Sequence, residues 1–124
     1  MKNENKIVWC EIPVIDFDRA LNFYSRVFGY ELKTAEYEGI KFAMFDLGDD
    51  SDSSASGCII KDGNRPSADG TLVYLNMNGR LDEAIEEVKK FGGKILMDKE
   101  QIGPWGYRVV ILDTEGNKVA FHSF

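Results

Sequence analysis

Apolar and polar residues alternate from Ile7 to Val14. Val8, Cys10, Ile12 and Val14 fall on one face, and Ile7, Trp9, Glu11 and Pro13 on the other. Residues two apart share a face of a strand, so the even face predicts packing against helices, while the odd face carries an aromatic beside an acid. The period then changes. Asp16 suits an N-cap, and Ala20, Phe23, Tyr24, Val27 and Phe28 form the stripe of an amphipathic helix that Gly29 ends. Strands are predicted over Glu31–Tyr37 and Lys41–Leu47, joined at Glu38-Gly39. A polar loop, Gly48–Ser56, leads into a short apolar strand, Gly57–Lys61.

After Lys61–Gly70, the best linker candidate, the pattern restarts. Thr71–Met77 reads as a strand. Leu81, Ala84, Ile85, Val88 and Phe91 make a second helical stripe, ended by Gly92-Gly93. Lys94–Met97 and Tyr107–Leu112 read as strands, and Asp113–Asn117 as a tight turn into a last strand, Lys118–Phe124. The order β-α-β-β-β therefore occurs twice. Val14 corresponds to Met77 at an offset of 63, and the helix-ending Gly29 to Gly93 at an offset of 64, with the extra residue in the turn Asn78-Gly79. Copies of about 60 residues bury too little surface to stand alone, so the expectation is one α+β domain of two modules, residues 1–62 and 69–124, joined by a linker at 63–68.

With 124 residues, 44% of them hydrophobic and 29% charged, the chain suits a single packed domain. Its longest apolar runs, such as Val109–Leu112, are too short for a bilayer, and MKNENK carries no apolar segment behind its charges. A cytoplasmic protein without membrane association is expected. Fifteen basic against 21 acidic residues leave a net charge of −6, which argues against a nucleic-acid partner. Much of the excess lies in Asp49, Asp50 and Asp52 and along the second helix, as an ordinary solvated surface would have it. Cys10 and Cys58 form no CxxC pair and read as reduced core residues.

Three segments, Glu11–Leu32 (EIPVIDFDRALNFYSRVFGYEL), Ala84–Leu96 (AIEEVKKFGGKIL) and Leu112–Ser123 (LDTEGNKVAFHS), together resemble the vicinal oxygen chelate superfamily. This superfamily includes glyoxalases, extradiol dioxygenases and bleomycin-resistance proteins. The resemblance implies paired βαβββ modules whose mixed sheets curl around a cavity, closed within one chain or by exchange of modules with a partner, and a homodimer is expected. In metal-dependent members, a His or Gln on the first strand and a Glu on the last strand of each module hold a divalent ion. Here the first-strand position falls on Trp9, with its second-module counterpart near Leu72, and the last-strand position falls on Ala120. The first-module strand Gly57–Ile60 offers no carboxylate. No cofactor is expected, and no divalent metal at the family position.

Two polar residues share strand faces with these positions: Glu11 with Trp9, and His122, the sole histidine, with Ala120. They are the candidate catalytic pair, proton acceptor and donor, or else polar anchors for a ligand. The plainer alternatives are a Glu11 that meets a base or solvent and a His122 hydrogen-bonded near the C-terminus. Trp105 and Tyr107, in the bend Gln101–Tyr107, either wall a cavity or cover the end of the sheet. Tyr74 and Asn76 complete the ligand-binding candidates with Trp9. Asp113 and Asn117 read as turn residues bonding their own backbone. Three functions stay open: a metal-free binder of a small organic molecule, a lyase- or isomerase-type enzyme using Glu11 and His122, and an interaction module without a ligand.

Overall fold

The computed structural model describes residues 6–46 and 56–124. The polar loop expected at 48–56 lies outside these, apart from the backbone of Ser56, as does the MKNEN start. In the first module, β1 (Trp9–Pro13) is followed by α1 (Phe17–Phe28), β2 (Lys33–Tyr37), β3 (Ile40–Met44) and β4 (Ser56–Lys61). The second has β5 (Tyr74–Asn76), α2 (Leu81–Lys90), β6 (Lys94–Gln101), a 3-10 turn (Gly103–Trp105), β7 (Tyr107–Leu112) and β8 (Lys118–Ser123). The strand orders are β1-β4-β3-β2 and β5-β8-β7-β6. In each sheet the first two strands of that order run parallel and the rest antiparallel. The internal repeat is thus a repeat of topology. No helix among the described residues is long and apolar enough to cross a membrane.

Burial follows the alternation. Ile12, Ala43 and Ile59 from the first sheet, and Leu75, Val109, Ile111 and Phe121 from the second, turn toward the helices and are buried. The helical stripes Ala20, Phe23, Tyr24, Val27 and Leu81, Ala84, Val88 are buried with them, in one cluster that runs through both modules. Helix α1 packs against α2, β3 and β4, and α2 against β6 and β8. Each sheet therefore spends one face on the shared core and leaves the other outward.

Most strands differ from the expected bounds by a residue or more, β2 beginning at Lys33 and β3 running from Ile40 to Met44, and three of the departures have a plain cause. β1 begins at Trp9 because Ile7 and Val8 are exposed and unpaired in the ladder. β5 has only three residues in its ladder, although backbone bonds from Met77 N–H to the His122 carbonyl and from Ala120 N–H to the Val73 carbonyl extend the contact on both sides. β6 runs four residues beyond Met97. Its apolar pattern stops there, but an exposed edge strand tolerates Asp98, Lys99 and Glu100, and Glu100 pairs opposite Arg108 after two register shifts.

Helix α1 is held at both ends by the second module. At its start Asp16 caps the Arg19 N–H at 3.0 Å. Glu115, from the turn before β8, accepts the backbone N–H groups of Ile15 and Asp16 at 2.9 and 2.8 Å. It also takes a forked pair of bonds from Arg19, at 2.7 and 3.1 Å. Midway, Tyr24 donates to Asp113 Oδ2 at 2.6 Å in the core. At the far end Gly29 takes φ 84°, and Arg80 lies so close that a Cβ on Gly29 would come within 2.7 Å of its guanidinium. Arg80 Nε donates to the Val27 carbonyl at 3.1 Å. An acid at the positive end of the helix and a base at its negative end both oppose the helix dipole favourably.

The turn Asp113–Asn117 does bond its own backbone, since Asp113 Oδ1 accepts the N–H groups of Glu115 and Asn117, each at 2.8 Å. It does more than that. Asn117 Nδ2 reaches the Pro13 carbonyl at 2.8 Å, and its Oδ1 accepts the Ser67 N–H at 3.1 Å. One turn thereby ties together β1, α1 and the inter-module connection.

The carboxyl of Glu115 is held at about 2, below the ordinary 4.5. Burial alone would raise it, but the bonds from Arg19, the Asp16 N–H, Thr114 and the Ile15 N–H outweigh that cost. A lowered carboxyl stabilises the fold fully above the unfolded value and loses that contribution as pH falls through the folded value. Glu115→Gln is expected to cost roughly 2–3 kcal/mol at neutral pH, with the gap to the parent protein closing between pH of about 4.5 and about 2. Urea unfolding at a series of pH values measures it, and a gap independent of pH would refute the assignment. A second expectation concerns the β2–β3 hairpin, whose central residues Glu38 and Gly39 have φ 50° and 81°. A two-residue hairpin turn demands positive φ at both, and glutamate pays for it in steric strain. Glu38→Asn should raise stability by about 0.5–1 kcal/mol, read as a higher urea midpoint at unchanged slope.

Candidate functional site

The outer face of the first sheet is built from odd positions of β1 and even positions of β3 and β4. The register sets Glu11 beside Cys58, Pro13 beside Ile60, and Ile60 beside Phe42. Glu11, Cys58, Ile60 and Phe42 line an open groove of about 480 Å³. Its apolar wall comprises Trp9, Tyr37, Ile40, Phe42, Cys58 and Ile60. Its polar groups are Glu11, Glu38 and Asp62, all acidic. Trp9 is 43% exposed, so its ring stands open to whatever enters.

The groove joins Trp9 to Glu11, as the shared strand face predicts. Tyr74, Asn76 and His122 lie on the outer face of the second sheet, whereas Tyr107 pairs opposite Ser123 on the helix side, in a cleft with Leu81 and Asp82 of α2. On the outer face Tyr74 pairs opposite Ala120, and His122 is flanked by Asn76 and Arg108. His122 Nε2 bonds the Trp105 carbonyl at 2.6 Å, and its ring meets Phe124 edge-on at 4.9 Å between centroids. A carbonyl only accepts, so Nε2 carries the proton and Nδ1 is the acceptor of the neutral ring. Arg108 donates to Tyr74 Oη and, through Nε, to Glu100 at 3.0 Å. Asn76 Oδ1 accepts the Asn78 N–H at 2.8 Å, a local turn bond. Trp105 is 68% exposed on the 3-10 turn, and Tyr107 opens β7 with the Lys99 ammonium 5.2 Å from its ring centre. Within one chain, Glu11 and His122 thus stand on the outer faces of different sheets.

Sequence reasoning missed Tyr37, Glu38, Phe42, Cys58 and Asp62 in the groove, and Arg108 and Glu100 on the other face. The alternation Ile40, Phe42, Met44 on β3 was the available signal. It identifies a second apolar face in addition to the core face, although the residues alone do not say which strand lies beside β1.

Neither cysteine is set up as a nucleophile. Burial first, and then the charge of Glu11, push the Cys58 thiol up to about 12, against a weaker downward pull from a Trp9 hydrogen bond. The same two causes raise Cys10.

The equivalent parallel registers Glu11–Cys58 and Tyr74–Ala120 make Cys58 the first-module counterpart of Ala120. The four positions where metal-dependent relatives place ligands are then Trp9, Cys58, Leu72 and Ala120. An indole, an isobutyl and a methyl group donate nothing to a cation, and the single Cys58 thiol falls short of the three or four protein ligands such an ion takes. The donor set does not fit the family's metal. Among the described residues no three His, Cys, Asp or Glu side chains gather as a metal cluster elsewhere.

Comparison with known proteins agrees with this architecture. No curated protein matches the chain. Among solved structures, a glyoxalase/bleomycin resistance protein from Albidiferax ferrireducens is similar over 97% of this chain and 100% of its own, with a TM-score of 0.71 at 13% identity. A glyoxalase I mutant from Zea mays matches 94% of this chain with a TM-score of 0.69 and 19% identity. This chain covers 46% of the maize chain, about half its length. A genomically encoded fosfomycin resistance protein from Listeria monocytogenes matches 100% of this chain and 93% of its own, at a TM-score of 0.65 and 13% identity. At such identities these likenesses establish the fold alone. The family model of the Glyoxalase/Bleomycin resistance protein/Dioxygenase superfamily matches residues 6–121, and the chain belongs to that superfamily.

Proposed function

We propose that this protein binds a small organic molecule on the outer face of its first sheet, without the metal used by metal-dependent members of its superfamily. The groove carries the reading: it joins an apolar wall to the Glu11 carboxylate, the combination of shape, apolar area and few polar groups that ligand sites have. The misfit of Trp9, Cys58, Leu72 and Ala120 to a cation supports the metal-free part. We further propose a homodimer. Trp9 and Tyr37 on one outer face, and Tyr74, Met97 and Trp105 on the other, are large and exposed, and a second copy laid across them would bury both sets. That packing is also the way for Glu11 of one copy to approach His122 of another, with Asn76 and Tyr74 beside it. A lyase- or isomerase-type reaction using Glu11 and His122 is the second reading, and the fixed protonation of Nε2, which leaves Nδ1 to accept a proton, favours it.

Native mass spectrometry on protein taken directly from its source tests these points together. The expected spectrum shows a complex of twice the 14.0 kDa chain mass, with one organic molecule per chain and no stoichiometric metal. Stoichiometric zinc, nickel, iron or manganese that chelation removes would overturn the metal-free reading, and a 14.0 kDa species at micromolar concentration the dimer. With the ligand identified, weaker binding in both Glu11→Gln and His122→Ala marks a binder. Lost turnover at unchanged affinity in Glu11→Gln marks an enzyme.

A further inference from the structure

The charges of the first sheet are sorted by face. Alternation turns Lys41 and Lys61, which pair directly across β3 and β4, toward the side where α1 begins. There they line a separate cleft with Asp16 and Asp18. The groove on the opposite face holds Glu11, Glu38 and Asp62 and no lysine or arginine. Among the described residues no base forms an ion pair with Glu11 or Glu38. Among the described residues Asp62 accepts from Asn64 alone, at 3.0 Å. Lys33 and Lys118 share the outer faces, but each is the first residue of its strand and lies outside the groove lining. Arg108, on the face a second copy would bring near, is already bound to Glu100.

These carboxylates stand among Trp9, Tyr37 and Phe42. A cleft of one charge sign with low-dielectric walls concentrates its potential, and aromatic faces attract cations through their quadrupoles. An anionic ligand would meet three like charges here, and a neutral one would leave them uncompensated. We infer that the groove selects an organic cation: an ammonium or quaternary ammonium group held by Glu11 and Glu38 against the rings, with an apolar body on Ile40, Phe42 and Ile60. This deepens the proposed function and rests on it. It also gives a use to Glu38, which keeps a positive φ that glycine or asparagine would hold at less cost.

The test uses three probes with one aromatic body: 2-phenylethylammonium, 2-phenylethanol and phenylacetate. Binding to the purified protein is followed by calorimetry and tryptophan fluorescence. The ammonium is expected to bind about tenfold or more tighter than the alcohol, with an advantage that shrinks as salt is added, and phenylacetate to bind weakest. Glu11→Gln should lower ammonium affinity by about tenfold and leave the alcohol unchanged. Glu38→Gln, at an exposed turn, repeats the test should the first variant fold poorly. Glu86→Gln on the exposed side of α2 serves as the control. Equal affinity for ammonium and alcohol would overturn the charge selection while leaving a small-molecule site in place. If none of the three binds, the cation inference falls, and the native mass spectrum separately decides whether the binding reading falls with it.

Discussion

The Glu115 carboxylate at the start of α1 is the contact on which the rest of the molecule depends. Its side chain is fully buried, whereas its partner Arg19 remains half exposed, so the cost of desolvation falls mainly on the acid. Five donated hydrogen bonds offset that cost, two of them from backbone N–H groups that a helix start leaves without partners. With Tyr24 on Asp113 and Arg80 on Val27, the second module grips α1 along its whole length. The helices then fill the space between the sheets, and each sheet has one face left. Those outer faces carry the side chains left over once the inner ones are committed to the core.

Much of the fold is legible in the sequence because it rests on periodicity. The stripes of α1 and α2 and the alternation of β1, β7 and β8 each report a buried face, and the recurrence of the whole series reports two modules. β6 shows the boundary of that logic. Beyond Met97 the strand is charged and exposed, so hydrogen bonds to β7 keep it extended while its side chains carry no burial signal. The Asp113–Asn117 turn shows another boundary. Its residues do what such residues do in any tight turn, and nothing local reveals that Glu115 meets a helix start about 100 positions earlier. That contact exists only once both modules are folded.

The candidate site divides along the same line. Trp9 and Glu11 could be placed together because both lie on one strand, where residues two apart share a face. Phe42, Cys58 and Tyr37 join them through strand pairing, and pairing between β1 and β4, 47 positions apart at Glu11 and Cys58, leaves no trace in a single sequence. The same register supplies the alignment that the residues alone lacked, by matching Cys58 to Ala120. His122 and Glu11 both occupy outer faces, in keeping with their strand parity, but parity says nothing about which sheet faces which.

The two outer faces share one register plan and differ in chemistry. Equivalent registers match Glu11 with Tyr74, Pro13 with Asn76, Cys58 with Ala120 and Ile60 with His122. Where the first module offers a carboxylate on an apolar floor, the second offers a phenol, an amide and an imidazole, with Arg108 satisfied by Glu100 and Tyr74. A symmetric metal site needs matching donors from both modules, and this pairing gives none. An asymmetric ligand, with a charged end and a hydrogen-bonding end, needs just such unlike faces. The backbone keeps the two-module geometry through the α1 clamp, while the exposed outward side chains, which take no part in the core, are free to differ between the modules.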